Sequence, residues 1–181
     1  MSIETGTYRL GPDDGTLTVR TKRTGAAAKA GHNLVIHVTE WQATLEAGEE
    51  PARTSIALGV DATSLRVHEG TGGVQALGDD DKASIQETID DEVLKRQEIV
   101  FRSTSVEAAP DGGTIRVEGD LTLVGETRSI AFELTVDGGR LAGSAVVKQS
   151  DWGISPYSTL FGTLKVVDEV EVELDAVLTT S

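Results

Sequence analysis

The 181-residue sequence has no cysteine. That excludes a disulfide framework, a thiolate zinc site, an iron–sulfur cluster and a cysteine nucleophile, yet leaves the compartment open, since exported proteins can do without disulfides. Aromatic residues are few, three Phe, two Trp and two Tyr, which argues against holding single-stranded nucleic acid by base stacking. Basic residues are outnumbered, 16 Lys and Arg against 30 Asp and Glu. The net charge of −14 argues against nucleic acid or an anionic membrane surface as a default partner. No run approaches the roughly 18 apolar residues of a membrane span. Met1-Ser2-Ile3-Glu4-Thr5 lacks the basic and apolar stretches of a secretory signal. The expectation is a soluble, cytoplasmic, acidic chain without stable membrane insertion, forming one domain over 1–181.

What the sequence does have is period-two apolar alternation almost from end to end, the mark of strands with one buried face. Leu17 and Val19 open it. Positions 32–45 carry Leu34, Ile36 and Val38 on one parity and Trp41, Ala43 and Leu45 on the other, so a bulge is expected near Thr39-Glu40. Ile56, Leu58 and Val60 follow, then Leu65 and Val67 after a second parity change. Ile99 and Phe101, Ile115 to Leu123, Ile130 to Val136, Leu141 to Val147 and Val170 to Leu178 complete the series. Gly11-Pro12-Asp13-Asp14-Gly15, Pro110-Asp111-Gly112-Gly113 and Asp137-Gly138-Gly139 read as hairpin turns.

A helix is expected over 81–95, where Ile85, Ile89 and Val93 recur every four residues. Ser84-x-x-Glu87 is its candidate capping box, and Asp79, Asp80 and Asp81 suit the positive end of its dipole. Eight hairpin-linked strands and one helix predict an all-β fold: an antiparallel up-and-down barrel, covered in part by the helix, with a two-sheet sandwich as the competing architecture. Such a barrel has room for one small or elongated ligand.

Catalytic chemistry finds no foothold. His32 and His37 fall on opposite strand faces, so neither a metal site nor metal ligands are expected. No Gly-x-Ser-x-Gly elbow occurs, and Glu69-Gly70-Thr71-Gly72-Gly73 lacks the ending of a phosphate loop. The carboxylate clusters at 79–81 and 90–92 read as helix capping and solvation. Trp41 and Trp152 read as core residues.

Several segments, in fixed order, resemble the YceI-like family. These are Tyr8-Arg9-Leu10, the pair Gly31-His32, the stretch from Gly59 to Leu65, the stretch from Val93 to Thr104, and Gln149-Ser150-Asp151-Trp152-Gly153-Ile154. The most specific is Val117-Glu118-Gly119-Asp120-Leu121-Thr122-Leu123-Val124-Gly125-Glu126-Thr127-Arg128. Trp152 stands where Phe is usual, Gln97 where Pro is common, and the export signal of many periplasmic members is missing.

The resemblance implies a lipocalin-like eight-stranded barrel that binds an isoprenoid chain, such as a polyprenyl phosphate or a quinone, in an apolar tunnel. It implies no catalytic residues and no cofactor beyond that bound isoprenoid or quinone. The inward parities nominate Leu34, Ile36, Val38, Ile56, Leu58, Phe101, Leu121, Phe132, Val147 and Val172 as the tunnel lining. His32 is the head-group candidate, with hydrogen bonding to a neighbouring loop as its alternative role. Gly119, Gly143, Ala145 and Ala176 on inward faces would leave space. The competing function is a filled-core interaction module or stress-linked dimer without a lipid ligand, and the carrier reading also leaves room for a homodimer.

Overall fold

The computed structural model describes residues 3–179. Strands β1 (Gly6–Leu10), β2 (Gly15–Thr21), β3 (Arg23–Thr24), β4 (Asn33–Val38), β5 (Trp41–Ala47), β6 (Ser55–Val60) and β7 (Leu65–Thr71) precede helix α1 (Asp79–Thr88). After it come β8 (Ile99–Ala108), β9 (Thr114–Leu123), β10 (Glu126–Asp137), β11 (Arg140–Lys148), β12 (Ser158–Thr159), β13 (Leu164–Val166) and β14 (Glu169–Val177). Eleven strands form one curled antiparallel sheet, a half-barrel in the order β1-β5-β6-β8-β9-β10-β11-β14-β2-β4-β7. A second sheet, β12-β13-β3, is small.

The ladder thus has eleven strands, not the eight expected, because two long apolar runs, 32–45 and 56–67, break at corners and β1 also joins the sheet. β4 and β5 do not form one bulged strand. β4 pairs with β2 and β7, whereas β5 pairs with β1 and β6. The chain crosses between opposite ends of the sheet at Thr39-Glu40, and β6 to β7 makes the same crossing at 61–64. The two crossings hold each other: the Thr39 amide donates to the Ser64 carbonyl at 2.9 Å and the Asp61 amide to the Glu40 carbonyl at 3.1 Å. Buried Ser64 adds its hydroxyl, donating to the carbonyls of Glu40 and Asp61. The β4–β7 and β5–β6 pairs are therefore one two-stranded ribbon bent through a corner. A bulge does occur nearby, in β7, where Val35 faces Glu69 but Ile36 faces Val67, leaving His68 as the extra residue.

Turn chemistry accounts for the hairpins at 109–113 and 138–139. At the second, Asp137 faces Arg140 across two residues, Gly138 and Gly139, with φ of 58° and 81°. Two left-handed residues match the twist of the flanking strands, and glycine adopts them without a Cβ clash. The turn at 11–15 is no hairpin, since β1 and β2 are not paired with each other. There the Asp14 carboxylate accepts the Gly11 amide at 2.9 Å. A Cβ on Gly15 would lie 2.3 Å from the Asp175 carbonyl oxygen, so only glycine admits β14 at that distance.

The helix starts two residues earlier than expected and ends its α-helical part at Thr88, continuing as a π-helical turn over Ile89–Val93. Its cap is not Ser84. The Asp81 carboxylate accepts the Gly78 amide at 2.9 Å, satisfying an orphan donor of the first turn while its charge suits the helix dipole. Asp90 is not solvated as expected; it is buried and accepts the Gln86 side-chain amide at 2.9 Å. Trp41 and Trp152 are core residues, the latter donating its indole N–H to the Leu121 carbonyl at 2.9 Å.

Candidate functional site

The concave face of the half-barrel and the apolar side of α1 enclose a cavity of about 550 Å³. Alternation puts every second side chain of each strand on this wall. β4 contributes Leu34, Ile36 and Val38, β6 contributes Ile56 and Leu58, and β8 to β10 contribute Phe101, Leu121 and Phe132. Val147 of β11 and Val172 of β14 complete the sequence-derived set, all ten lying on the one cavity wall. Phe101 and Phe132 sit edge-tilted to each other, with ring centroids 5.4 Å apart. Ala43 and Leu45 are also on the wall despite their opposite parity, because the corner at 39–40 turns β5 so that its other face points inward.

Sequence periodicity missed most of the helical contribution and the far side of the wall. Ile85, Ile89, Val93 and Leu94 line the cavity from the helix and its π turn, and Val19, Ile130, Leu134 and Leu174 line it from the strands. The helical i, i+4 spacing carried that signal. Half of the nominated lining residues, Leu34, Ile56, Leu58, Phe132 and Val172, are only half-buried although they point inward. Their exposed area belongs to the cavity, so the interior is hollow. Of the four small inward residues, Gly143 and Ala145 line the cavity, whereas Gly119 and Ala176 do not. A Cβ on Gly119 would meet the Phe101 ring at 2.5 Å, so its smallness serves close packing. Gly143 is equally constrained, its added Cβ lying 2.4 Å from the Glu133 carbonyl oxygen.

Polar groups gather at one end, where β2, β7 and β11 finish and β4 and β14 begin. Arg23, His32, Thr159 and Lys165 line the cavity there. Exposed Ala30, Tyr157 and Lys165 among the lining residues open it to solvent. The Arg23 guanidinium donates to the carbonyls of Gly31 and Thr71, and its amide donates to the Asn33 side chain at 3.0 Å. His32 lies on the wall and its Nε2 donates to the Gln75 carbonyl at 2.7 Å. That bond to the loop between β7 and α1 is the loop-bonding role named for it, and it holds the imidazole at the mouth.

Beside this mouth the chain between β12 and β13 passes through Leu160 and Phe161 with φ of 53° and 56°. Two consecutive left-handed residues that are not glycine cost roughly 1–2 kcal/mol each. The turn is held by the Thr163 hydroxyl and amide, both donating to the Leu160 carbonyl, and by the Val166 amide donating to the Tyr157 carbonyl.

His37 points away from the cavity and stacks on His68 at 4.2 Å between ring centroids. Burial, then the proximity of His68 and Arg20, lowers its pKa, with Glu69 opposing. His32 and His37 are thus on opposite faces, and no group of three His, Asp or Glu side chains among the described residues is placed to hold a metal ion. The carboxyls of Asp168 and Asp175 titrate below their usual range, the first mainly through the Ser150 hydroxyl and the second through the Arg140 guanidinium.

The half-barrel with one helix recurs in known proteins. The crystal structure of BcnA from Burkholderia cenocepacia matches with a TM-score of 0.65 at 16% identity, over 91% of this chain and 96% of that one. The YceI protein of Campylobacter jejuni matches with a TM-score of 0.60 at 11% identity, over 81% of this chain and 85% of that one. Among curated proteins none matches. The family model of the YceI-like domain matches residues 8–178, a span that takes in every residue of the cavity wall, and the chain therefore belongs to the YceI-like family.

Proposed function

We propose that this protein is a non-catalytic carrier for an amphiphile with a long apolar chain, an isoprenoid such as a polyprenyl phosphate or a quinone. The observation that carries the reading is the cavity of about 550 Å³ walled by aliphatic side chains and two Phe rings. Its size falls within the roughly 300–1,000 Å³ of small-molecule sites. Each methylene buried there contributes about 0.8 kcal/mol, so tight binding needs no reactive group. Membership of the YceI-like family supports a lipid-binding, non-enzymatic role.

In this reading Leu34, Ile36, Val38, Ile56, Leu58, Phe101, Leu121, Phe132, Val147 and Val172 hold the chain. The head group sits at the polar end, where His32, Arg23 and Lys165 suit a phosphate or a quinone carbonyl. A filled-core interaction module has less in its favour, because the inward faces surround open volume.

Native mass spectrometry of detergent-free protein is the test, with geranylgeranyl monophosphate and a short-chain ubiquinone added in turn. A one-to-one adduct with either is expected, and its loss in Ala145→Phe, which fills the cavity beside Val172. That variant should cost under about 1 kcal/mol of stability, against about 1–3 kcal/mol for overpacking a filled core. A wild-type protein that takes up neither compound, or a variant that destabilises without touching uptake, sinks the proposal.

A further inference from the structure

Three segments meet at the cavity mouth: the chain from β2 to β4, the loop between β7 and α1, and the chain from β11 to β14. Arg23 and His32 tie the first to the second through the carbonyls of Thr71 and Gln75. The small sheet ties the first to the third, with Thr24 facing Lys165 and Arg23 facing Val166. In a chain with 30 acidic residues, positions 15–39, 71–78 and 152–167 carry none, while Lys22, Arg23, Lys29 and Lys165 fall within them. Asp79, Asp80 and Asp81 come next along the chain, in the first turn of α1.

The same end carries most of the exposed large apolar side chains. Phe161 is fully exposed, and Leu160, Tyr157 and Val74 are also exposed. Leu160 and Phe161 occupy strained left-handed backbone, held by hydrogen bonds that keep both side chains out of the core. An apolar pair presented at a backbone cost, next to an apolar cavity and among basic residues, fits a lipid surface: rings and aliphatic chains enter the acyl boundary while Lys and Arg meet head groups.

We propose that Leu160 and Phe161 form the tip of a docking surface for a lipid bilayer, set at the cavity mouth so that an amphiphile passes between bilayer and cavity without crossing water. The passage of cargo rests on the carrier reading above; the docking itself does not. The overall charge of −14 keeps the rest of the molecule off an anionic bilayer, so docking is oriented, mouth first.

Flotation with cargo-free vesicles of phosphatidylcholine and phosphatidylglycerol tests the docking. Wild-type protein is expected to float with the vesicles, less so as salt rises. L160S/F161S should lower the vesicle partition roughly tenfold or more, from the apolar area it withdraws. The variant's circular dichroism and its uptake of geranylgeranyl monophosphate from ethanol should match wild type, while uptake of the same compound from vesicles slows. Flotation equal to wild type in the variant overturns the proposal. So does a wild type that does not float, or a dimer seen by sedimentation velocity that the double substitution abolishes, since the patch then covers a second copy. Flotation lost in the variant with no uptake by either route upholds docking and refutes the carrier reading.

Discussion

His37 on β4 and His68 at the β7 bulge stack on the convex face, and their pairing has a pH consequence. The folded pKa of His37 lies below the ordinary 6.5, chiefly through burial and then through His68. As pH falls through 6.5 the unfolded chain takes the proton first, so stability drops from there down to the folded pKa and then levels off. We expect urea unfolding followed over roughly pH 5–8 to show this drop, and His37→Asn to flatten it. The lowered pKa values of Asp168 and Asp175 act in a separate window, below their ordinary 3.8. Persistence of the full drop in His37→Asn would assign it to another group. The outward orientation of His37 was legible from spacing alone. Its partner was not, because a bulge shifts parity by one residue and places His68 beside a residue that strict alternation would separate from it.

Among elements, the bent ribbon made of β4–β5 and β6–β7 shows where pattern reading succeeds and where it stops. Each arm alternates cleanly, so its inward residues could be nominated. A parity switch, however, has the same one-dimensional signature whether the strand bulges or turns a corner into another part of the sheet. Only the partners distinguish the two, and they lie far along the chain. The helix shows the complementary limit: its apolar stripe at Ile85, Ile89 and Val93 was readable, but its start depended on which carboxylate reached back to a free amide, and that was Asp81. The corner makes a direct prediction. Ser64→Ala removes the hydroxyl that donates to the Glu40 and Asp61 carbonyls inside a buried bend, at a cost of about 1–2 kcal/mol. Chemical denaturation should show a lower midpoint at unchanged slope, with amide exchange speeding first at Thr39 and Asp61. An unchanged midpoint would mean water replaces the hydroxyl at no loss.

For the whole molecule, charge and topology set the behaviour. The four ion pairs among the described residues, Arg20–Glu173, Arg96–Asp91, Arg116–Glu118 and Arg140–Asp175, are all substantially exposed and worth about 0–1 kcal/mol each. Against them stands the self-repulsion of a −14 shell. We expect repulsion to prevail. Raising salt from about 0.01 M to 0.1 M shortens the screening length from ~30 to ~10 Å, and relief near 1 kcal/mol would raise Tm by about 2–4 °C. A falling Tm in scanning calorimetry would give the larger weight to the ion pairs.

The place of β14 also governs how this chain comes to fold. Glu169–Val177 lies between β11 and β2, with Leu174 facing Leu17 and Ala176 facing Gly15. Among the described strands β14 comes last in chain order, and it joins β2, β4 and β7 to the rest of the sheet. Contacts so distant in sequence slow folding. During synthesis, β2 must wait with an open edge until β14 has emerged, and a truncation before β14 leaves two sheet fragments prone to associate with other chains.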